Sequence, residues 1–389
     1  MDRYKKKSFT IFAWLSLISF IWLSACNDND RFVRSERLKL VDSIALQALV
    51  YTPKSTLCCK YLDNGEGEYI FWGNRPNDFI EVFNLTTGRH ITTIRIPIEG
   101  PHSIPNLLGG FSVVNMDTII VSTDRIGKLY MIDTSGTGYY DVINHTDTSY
   151  KSLNNLVSLN SNLPSDIYEI NNSLIIPFRI PNFRDKPSNE VMQEIQLFKL
   201  FNKNDGTLRK LPIPVNMDLY NSLNFRISGS NCFLNGRLYF QYATDHKIYF
   251  TDDLNGSNHK DVQSRFTTDF VPYGRYPREQ YVLMEFIYKG LLADVYNNRI
   301  IRIVKLPVRD VQIADVEKEE DGVYERVSVM ILDAGSNLLG ETLFEHSNYS
   351  WNECFIGRKG LYILRSPYHP HYSESEITFD IFELEVEMD

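Results

Sequence analysis

The stretch Phe79-Ile80-Glu81-Val82-Phe83-Asn84-Leu85-Thr86-Thr87-Gly88-Arg89-His90-Ile91-Thr92-Thr93-Ile94-Arg95-Ile96 decides the fold. Its first five residues alternate across a pleat, Asn84 to Gly88 supplies turn chemistry, and His90 to Ile96 runs back to Pro97. That is a β-hairpin. The same order of apolar strand, Asn or Asp, Gly and second strand recurs at 128–142, 195–214, 247–256 and 326–344. One hairpin cannot bury its own apolar face, so a series of them predicts an array in which neighbours cover each other.

Grouping the strands in fours gives Thr56–Leu62, Glu68–Gly73, Asp78–Leu85 and His90–Pro97 first, then Gly110–Asn115, Thr118–Thr123, Lys128–Asp133 and Gly138–Ile143. A third group spans Asp166–Leu211, a fourth Arg226–Thr267 with Val262–Thr267 as its last strand, and a fifth Phe286–Phe344. The sixth has only three strands, Glu353–Ile356, Leu361–Ser366 and Ile377–Leu384, while Leu38–Leu46 near the start has no partner of its own. The two defects are complementary. If Leu38–Leu46 is the outer strand of the last sheet, the ring closes without an unpaired edge, which predicts an all-β, six-bladed β-propeller closed by its N-terminal strand. A β-sandwich accommodates the same strands but predicts no sixfold grouping. No Pro/Gly/Ser-rich linker follows Arg34, so residues 38–389 are expected to form a single domain.

Arg3, Lys5, Lys6 and Lys7 precede the apolar run Phe9–Leu23, which ends in Leu23-Ser24-Ala25-Cys26. This is the pattern of a secretory signal, expected to be residues 1–25, with 26–37 as a polar tether. Leu23-Ser24-Ala25-Cys26 resembles a bacterial lipobox, and that resemblance implies a lipid on Cys26 and a membrane tether. An uncleaved anchor is the alternative, since Ser8–Ala25 is 18 residues long. Asn27, rather than Asp, after the cysteine places the protein at the outer membrane by resemblance to sorting rules.

Residues 1–25 hold four of the 40 bases and one of the 49 acids, leaving 36 against 48 and a formal charge of −12. An acidic body is repelled by phosphate backbones, which argues against nucleic acid as a partner. The 23 Tyr and 23 Phe against 5 Cys point to aromatic and β-branched packing, with Cys58, Cys59, Cys232 and Cys354 as buried thiols.

Ile96-Pro97-Ile98-Glu99-Gly100-Pro101 followed by Gly109-Gly110-Phe111, and Asp294-Val295-Tyr296-Asn297-Asn298-Arg299-Ile300-Ile301-Arg302-Ile303, complete a further likeness. With the lipobox, they resemble lipoprotein propellers of Bacteroidota known as a domain of unknown function. Such relatives often carry an aromatic pair where this chain has Ile300-Ile301. The resemblance implies a TolB-like six-bladed fold and an envelope location, and it implies no reaction.

No nucleophile elbow, zincin helix or phosphate loop occurs. His369-Pro370-His371 is the one histidine pair, and no third ligand at fixed spacing accompanies it, so no metal or cofactor is expected. Asn202-Lys203-Asn204-Asp205-Gly206 reads as a turn, because Ile213 stands where a calcium loop needs its glutamate. The loops entering each blade, and those between second and third strands, share one face of a propeller. That register gathers Arg75, His102, Arg125, Arg184, Tyr273, Arg275, Tyr276, Arg278, Trp351 and His369 there. Arg and aromatic side chains on an acidic protein suit an envelope protein or a glycan as the ligand. The expected role is binding or scaffolding. The alternative is a glycan hydrolase or lyase, which would need carboxylates converging in the channel.

Overall fold

The computed structural model describes residues 35–49, 52–53, 56, 58–74, 78–104, 108–123, 128–135, 138–139, 141–144, 166–177, 188–221, 229–270, 284–308, 325–345 and 347–387. Its described strands form six four-stranded sheets. Blade 1 is β2 (Cys59–Asp63), β3 (Glu68–Asn74), β4 (Phe79–Asn84) and β5 (His90–Arg95). Blade 2 is β6 (Leu108–Asn115), β7 (Thr118–Thr123), β8 (Lys128–Ile132) and β9 (Asp141–Asn144). In blade 3, β10 (Tyr168–Ile170), β11 (Ser173–Pro177), β12 (Phe198–Asn202) and β13 (Leu208–Lys210) pair in order. Blade 4 holds β14 (Gly229–Leu234), β15 (Arg237–Tyr242), β16 (Lys247–Thr251) and β17 (Asn258–Asp261). Blade 5 holds β18 (Ile287–Asp294), β19 (Arg299–Leu306), β20 (Arg326–Asp333) and β21 (Leu338–Phe344). The last sheet runs β22 (Tyr349–Gly357), β23 (Gly360–Arg365), β24 (Ile377–Glu387) and then β1 (Ser35–Leu46), so the N-terminal strand completes it.

Turn chemistry fixes the hairpins. Asn84 accepts the Thr87 N–H on its side chain and the Gly88 N–H on its carbonyl, both at 2.9 Å, and Gly88 takes the positive φ of 68° that the turn needs. The Asn202–Gly206 turn repeats this between β12 and β13, with Gly206 at φ 69°.

Six buried apolar clusters lie one at each junction between neighbouring blades. Ile119 and Val121 of β7 pack toward blade 1, and Ile120 between them packs toward blade 3. Ile300 and Ile301 of β19 divide in the same way between blades 4 and 6. A middle strand is therefore buried on both faces, which is why these segments read as unbroken apolar runs. The sixth cluster joins Trp72 and Phe83 of blade 1 to Phe355 and Phe379 of blade 6 and takes in Leu46 of β1. Ring closure is thus a packed interface.

β1 is held along its length. Arg299 of β19 grips the buried Glu36 carboxylate with Nε at 2.9 Å and an Nη at 2.7 Å, a forked pair, and the Leu38 N–H donates to Thr342 Oγ1 at 2.9 Å. Lys39 reaches Glu385 and Lys359 reaches Asp42, each at 2.8 Å. At its far end Gln47 donates to the Gly88 carbonyl at 2.7 Å. Backbone passes so close that a Cβ on Gly340 would lie 1.6 Å from the Glu36 oxygen, and one on Gly88 2.2 Å from the Ala45 oxygen.

A second lock joins blades 4 and 5. Arg302 of β19 is fully buried and has no carboxylate partner among the described residues; its guanidinium donates to Gln241 Oε1 at 2.7 Å and to the carbonyls of Val262, Asp245 and His246 at 2.6, 2.9 and 2.9 Å. It lies 3.3 Å above the Tyr288 ring. Burial pulls its pKa down to about 10, which still leaves it charged at neutral pH.

The strand grouping changes in blade 4, and two helical turns add to it. The fourth strand of blade 4 is β17, with Asn258, His259 and Asp261 exposed, and 262–267 is instead the crossing into blade 5. There Ser264 Oγ and the Arg265 N–H donate to the buried Glu341 carboxylate at 2.5 and 2.9 Å, so the segment's apolar character reflects packing between blades. Between β11 and β12 lies a helical turn, α1 (Asn189–Gln193), which buries Met192. A second turn, α2 (Met217–Asn221), is capped by Asn216, whose Oδ1 accepts the Asp218 N–H at 3.0 Å.

Substituting Gly340→Val should drive a side chain into the Glu36 backbone and lift β1, giving a broadened or lost cooperative melt; a transition as sharp and as high as the parent's would refute the closure. Arg302→Met leaves the Asp245 and Val262 carbonyls and Gln241 Oε1 without the guanidinium donor and should cost about 3 kcal/mol or more. Urea unfolding with an unchanged midpoint would contradict that role.

Candidate functional site

The first strand of each blade faces the axis of the ring: β2 touches β6 and β22, and β18 touches β14 and β22. Residues far apart in sequence meet there. A cavity of ≈ 270 Å³ opens among β2, β10, β14, β18 and β22. Its wall includes Tyr61, Tyr296 and Phe355-Ile356, which stand near the turns leading to the second strands, so the cavity lies toward that end of the channel.

Aromatic side chains make three of its walls. Tyr61 stacks on Phe355 with centroids 5.4 Å apart and planes 10° off parallel, and Tyr168 stacks on Phe233 at 5.8 Å and 28°. Tyr296, on the turn after β18, is the third, and its hydroxyl stands 2.7 Å from that of Tyr61. Glu68 accepts from Tyr61 at 2.8 Å, Asp63 accepts from Tyr296 at 2.8 Å, and Arg358 holds Asp63 with Nε at 2.8 Å and an Nη at 2.6 Å. Arg358 keeps the Asp63 carboxyl far below its usual range, and burial raises the Tyr296 phenol to about 12. Both phenols are neutral donors at any physiological pH.

Deeper in, Lys60 of β2 pairs with Asp166 at 2.7 Å. Burial opposes the Lys60 charge, and Asp166 outweighs it, so the ammonium pKa sits above its ordinary value. Asp166 receives both Lys60 and Ser112 on Oδ1, its side chain is 33% exposed against 8% for Lys60, and Oδ2 has no partner among the described residues. Asn352 also lines the cavity, and its amide makes no hydrogen bond among the described residues. Cys59, Cys232 and Cys354 contribute small buried walls, and burial raises all three thiols, so they are neither thiolates nor disulfides.

Of the candidates read from sequence, Trp351 moves. It lies within β22 rather than a loop, is 1% exposed, and packs edge-on to Phe344 at 4.9 Å, so it belongs to the core and no ligand reaches it. His369 lies in the loop between β23 and β24. Its Nδ1 accepts the His371 N–H at 3.1 Å, and its Nε2 faces the buried Asp380 at 3.3 Å, so it braces that loop as a neutral ring. His102 is exposed, with Tyr139 edge-on at 5.5 Å. Arg75, Arg125, Arg184, Tyr273, Arg275, Tyr276 and Arg278 lie outside the described residues, as does Cys26. Among the described residues no three His, Cys, Asp or Glu side chains gather as a metal site, and no helix is long and apolar enough to cross a membrane. The cavity's own residues escaped the sequence reading, although Tyr61, Tyr168 and Phe233 sit on the first strands of their blades, where the channel had to be.

Beside the channel, Glu353 of β22 accepts the Thr56 N–H at 3.1 Å and Ser350 Oγ at 2.5 Å. Burial pushes its carboxyl up to about 7. A raised acid binds its proton more tightly folded than unfolded, so stability falls as pH rises from about 4.5 to about 7 and levels off above, a loss of roughly 3 kcal/mol. Glu353→Gln mimics the protonated form. Its melting temperature should match the parent's near pH 5 and exceed it at pH 8; parallel pH profiles would contradict this.

Comparison with known proteins agrees with the architecture. The model of the Domain of unknown function (DUF4221) matches residues 48–343, which span blades 1 to 5. A DUF4221 member from Bacteroides vulgatus ATCC 8482 shares the fold at a TM-score of 0.78 and 17% identity, covering 91% of this chain and 100% of that one. A candidate exported protein from Bacteroides fragilis NCTC 9343 aligns at a TM-score of 0.51 and 9% identity, covering 93% and 97%. No curated protein matches the sequence. With the family model matched over well more than half of its length and six blades closed by the N-terminal strand, the chain belongs to the DUF4221 family.

Proposed function

We propose that this protein is an envelope lipoprotein whose propeller binds a small group, presented by an envelope protein, in the aromatic end of its channel. The observation that carries the reading is the make-up of the cavity wall: three tyrosines and two phenylalanines surround the single carboxylate among the described lining residues, and Lys60 pairs with it. Glycoside hydrolysis needs two carboxylates about 5–10 Å apart across the scissile bond, so the wall favours binding over the hydrolase alternative. At ≈ 270 Å³ the space falls just under the ~300–1,000 Å³ of sites for drug-sized ligands, which suits one side chain better than a glycan strand.

Export and anchoring rest on the signal at 1–25 and the lipobox ending at Cys26, and the likeness to a candidate exported protein is in keeping with them. Outer-membrane residence rests on Asn27. Cys26→Ser should abolish incorporation of a fatty-acid analogue, and undiminished labelling would remove the lipid anchor from the account.

Affinity capture from envelope extracts compares the wild type with Tyr296→Ala and with Arg275→Ala/Tyr276→Ala. Loss of a true aromatic anchor costs ~2 kcal/mol or more, so Tyr296→Ala should recover its partner at least about tenfold less well with little change in melting temperature. Equal recovery by Tyr296→Ala would exclude the channel as the site. A loss confined to the double variant would move the site to the loop at 271–278, and turnover of a glycan would restore the enzyme reading.

A further inference from the structure

The chemistry of the cavity narrows the ligand class, on the footing that the cavity binds a ligand at all. We propose that it is a cage for an organic ammonium group, either a free amine or the side chain of a lysine. Three observations converge on a cation. Aromatic rings line the walls: Tyr61, stacked on a Phe355 whose other face is covered by Tyr362 at 4.8 Å, on one side, the Tyr168–Phe233 stack on another and Tyr296 on the turn between β18 and β19. A cation near such faces is attracted by the ring quadrupole, by ~2 kcal/mol or more when desolvated. The polar groups left over also suit a donor. Asp166 Oδ2 has no partner among the described residues, and the carbonyl of the Asn352 amide is a second acceptor to which no described residue donates.

Charge completes the argument. The described ionic groups at and around the cavity include Asp166, Asp63 and Glu68 against Lys60 and Arg358, one acid in excess, with the Lys289–Glu325 pair and Glu353, whose carboxyl burial raises to about 7, behind Cys354. The two bases are occupied. Lys60 is only 8% exposed and lies against Asp166, and Arg358 forks onto Asp63, so neither offers a free cation to an anionic ligand. An anion would meet tyrosine rings and a carboxylate; an ammonium meets the Asp166 carboxylate and tyrosine rings that suit its charge. The phenols do not compete for the role of anion, since both Tyr61 and Tyr296 are held protonated.

The test uses the full chain in detergent and isothermal titration with choline, with its neutral carbon isostere 3,3-dimethylbutan-1-ol, with N-acetyl-lysine methylamide and with acetate. Choline, the lysine amide or both should bind at least about tenfold more tightly than the alcohol, a factor worth ~1.4 kcal/mol, and acetate should not bind. Which of the two cations binds better separates a free amine from a lysine side chain. Tyr296→Leu, on an exposed turn, should weaken the preferred cation about tenfold without lowering the melting temperature, and Asp166→Asn should do likewise if it folds. Equal affinity for choline and the alcohol, preference for acetate, or no cation binding at tens of millimolar would each overturn the cage, whatever the variants do. A neutral partner captured through Tyr296 would leave the binding function standing and remove only its assignment to a cation.

Discussion

A ring of sheets is stable only if its first and last members meet, and here the strand that lets them meet is the first one made. β1 supplies the outer edge of blade 6, and its neighbours on either side are blade 5, through Arg299–Glu36 and Gly340, and blade 1, through Gly88 and Gln47. Without it the outer edge of β24 would be unpaired, and unpaired edges recruit other chains. The closure is held by a forked ion pair, backbone passing within hydrogen-bond distance, and the apolar cluster around Trp72 and Phe379. The channel exists because this contact exists.

One short segment serves both the closure and the site. In Asp294-Val295-Tyr296-Asn297-Asn298-Arg299-Ile300-Ile301-Arg302, Asp294 accepts the N–H groups of Tyr296 and Asn297 at 3.1 and 2.9 Å and shapes the turn, where Asn298 takes a φ of 56°. Tyr296 then stands at the cavity, Arg299 holds β1, and Arg302 is buried against blade 4. The buried arginine is the costliest element of this arrangement. Gln241 and the carbonyls of Asp245 and His246 from blade 4, the Val262 carbonyl from the crossing that follows it and the Tyr288 ring of β18 offset its desolvation, so the guanidinium fixes how the two blades sit.

The fold was legible in the sequence because hairpin chemistry is local. Asn84 and Gly88, or Asn202 and Gly206, carry the turn in residues a few positions apart, and middle strands such as Arg299–Leu306 announce burial on both faces. What failed was edge character. β17 is short, polar and exposed, so its pattern says nothing, whereas 262–267 looks like a strand because it is buried between blades. Trp351 was misplaced for a related reason: β22 carries an irregular register between Ser350 and Cys354, which hides where the strand begins. The site was least legible of all. Tyr61, Asp166, Phe233, Tyr296 and Asn352 come from five blades, and no spacing along the chain records that they share one wall.

The central claim is that ligands enter the tyrosine-walled end of the channel, and the most direct measurement is ¹⁹F NMR of the full chain carrying 3-fluorotyrosine, with signals assigned by single Tyr→Phe substitutions. On adding an envelope extract that the protein retains, the resonances of Tyr61, Tyr168 and Tyr296 should shift or broaden together while those of core tyrosines such as Tyr220 stay in place. Retention of a ligand with all three cavity signals unmoved would contradict the account.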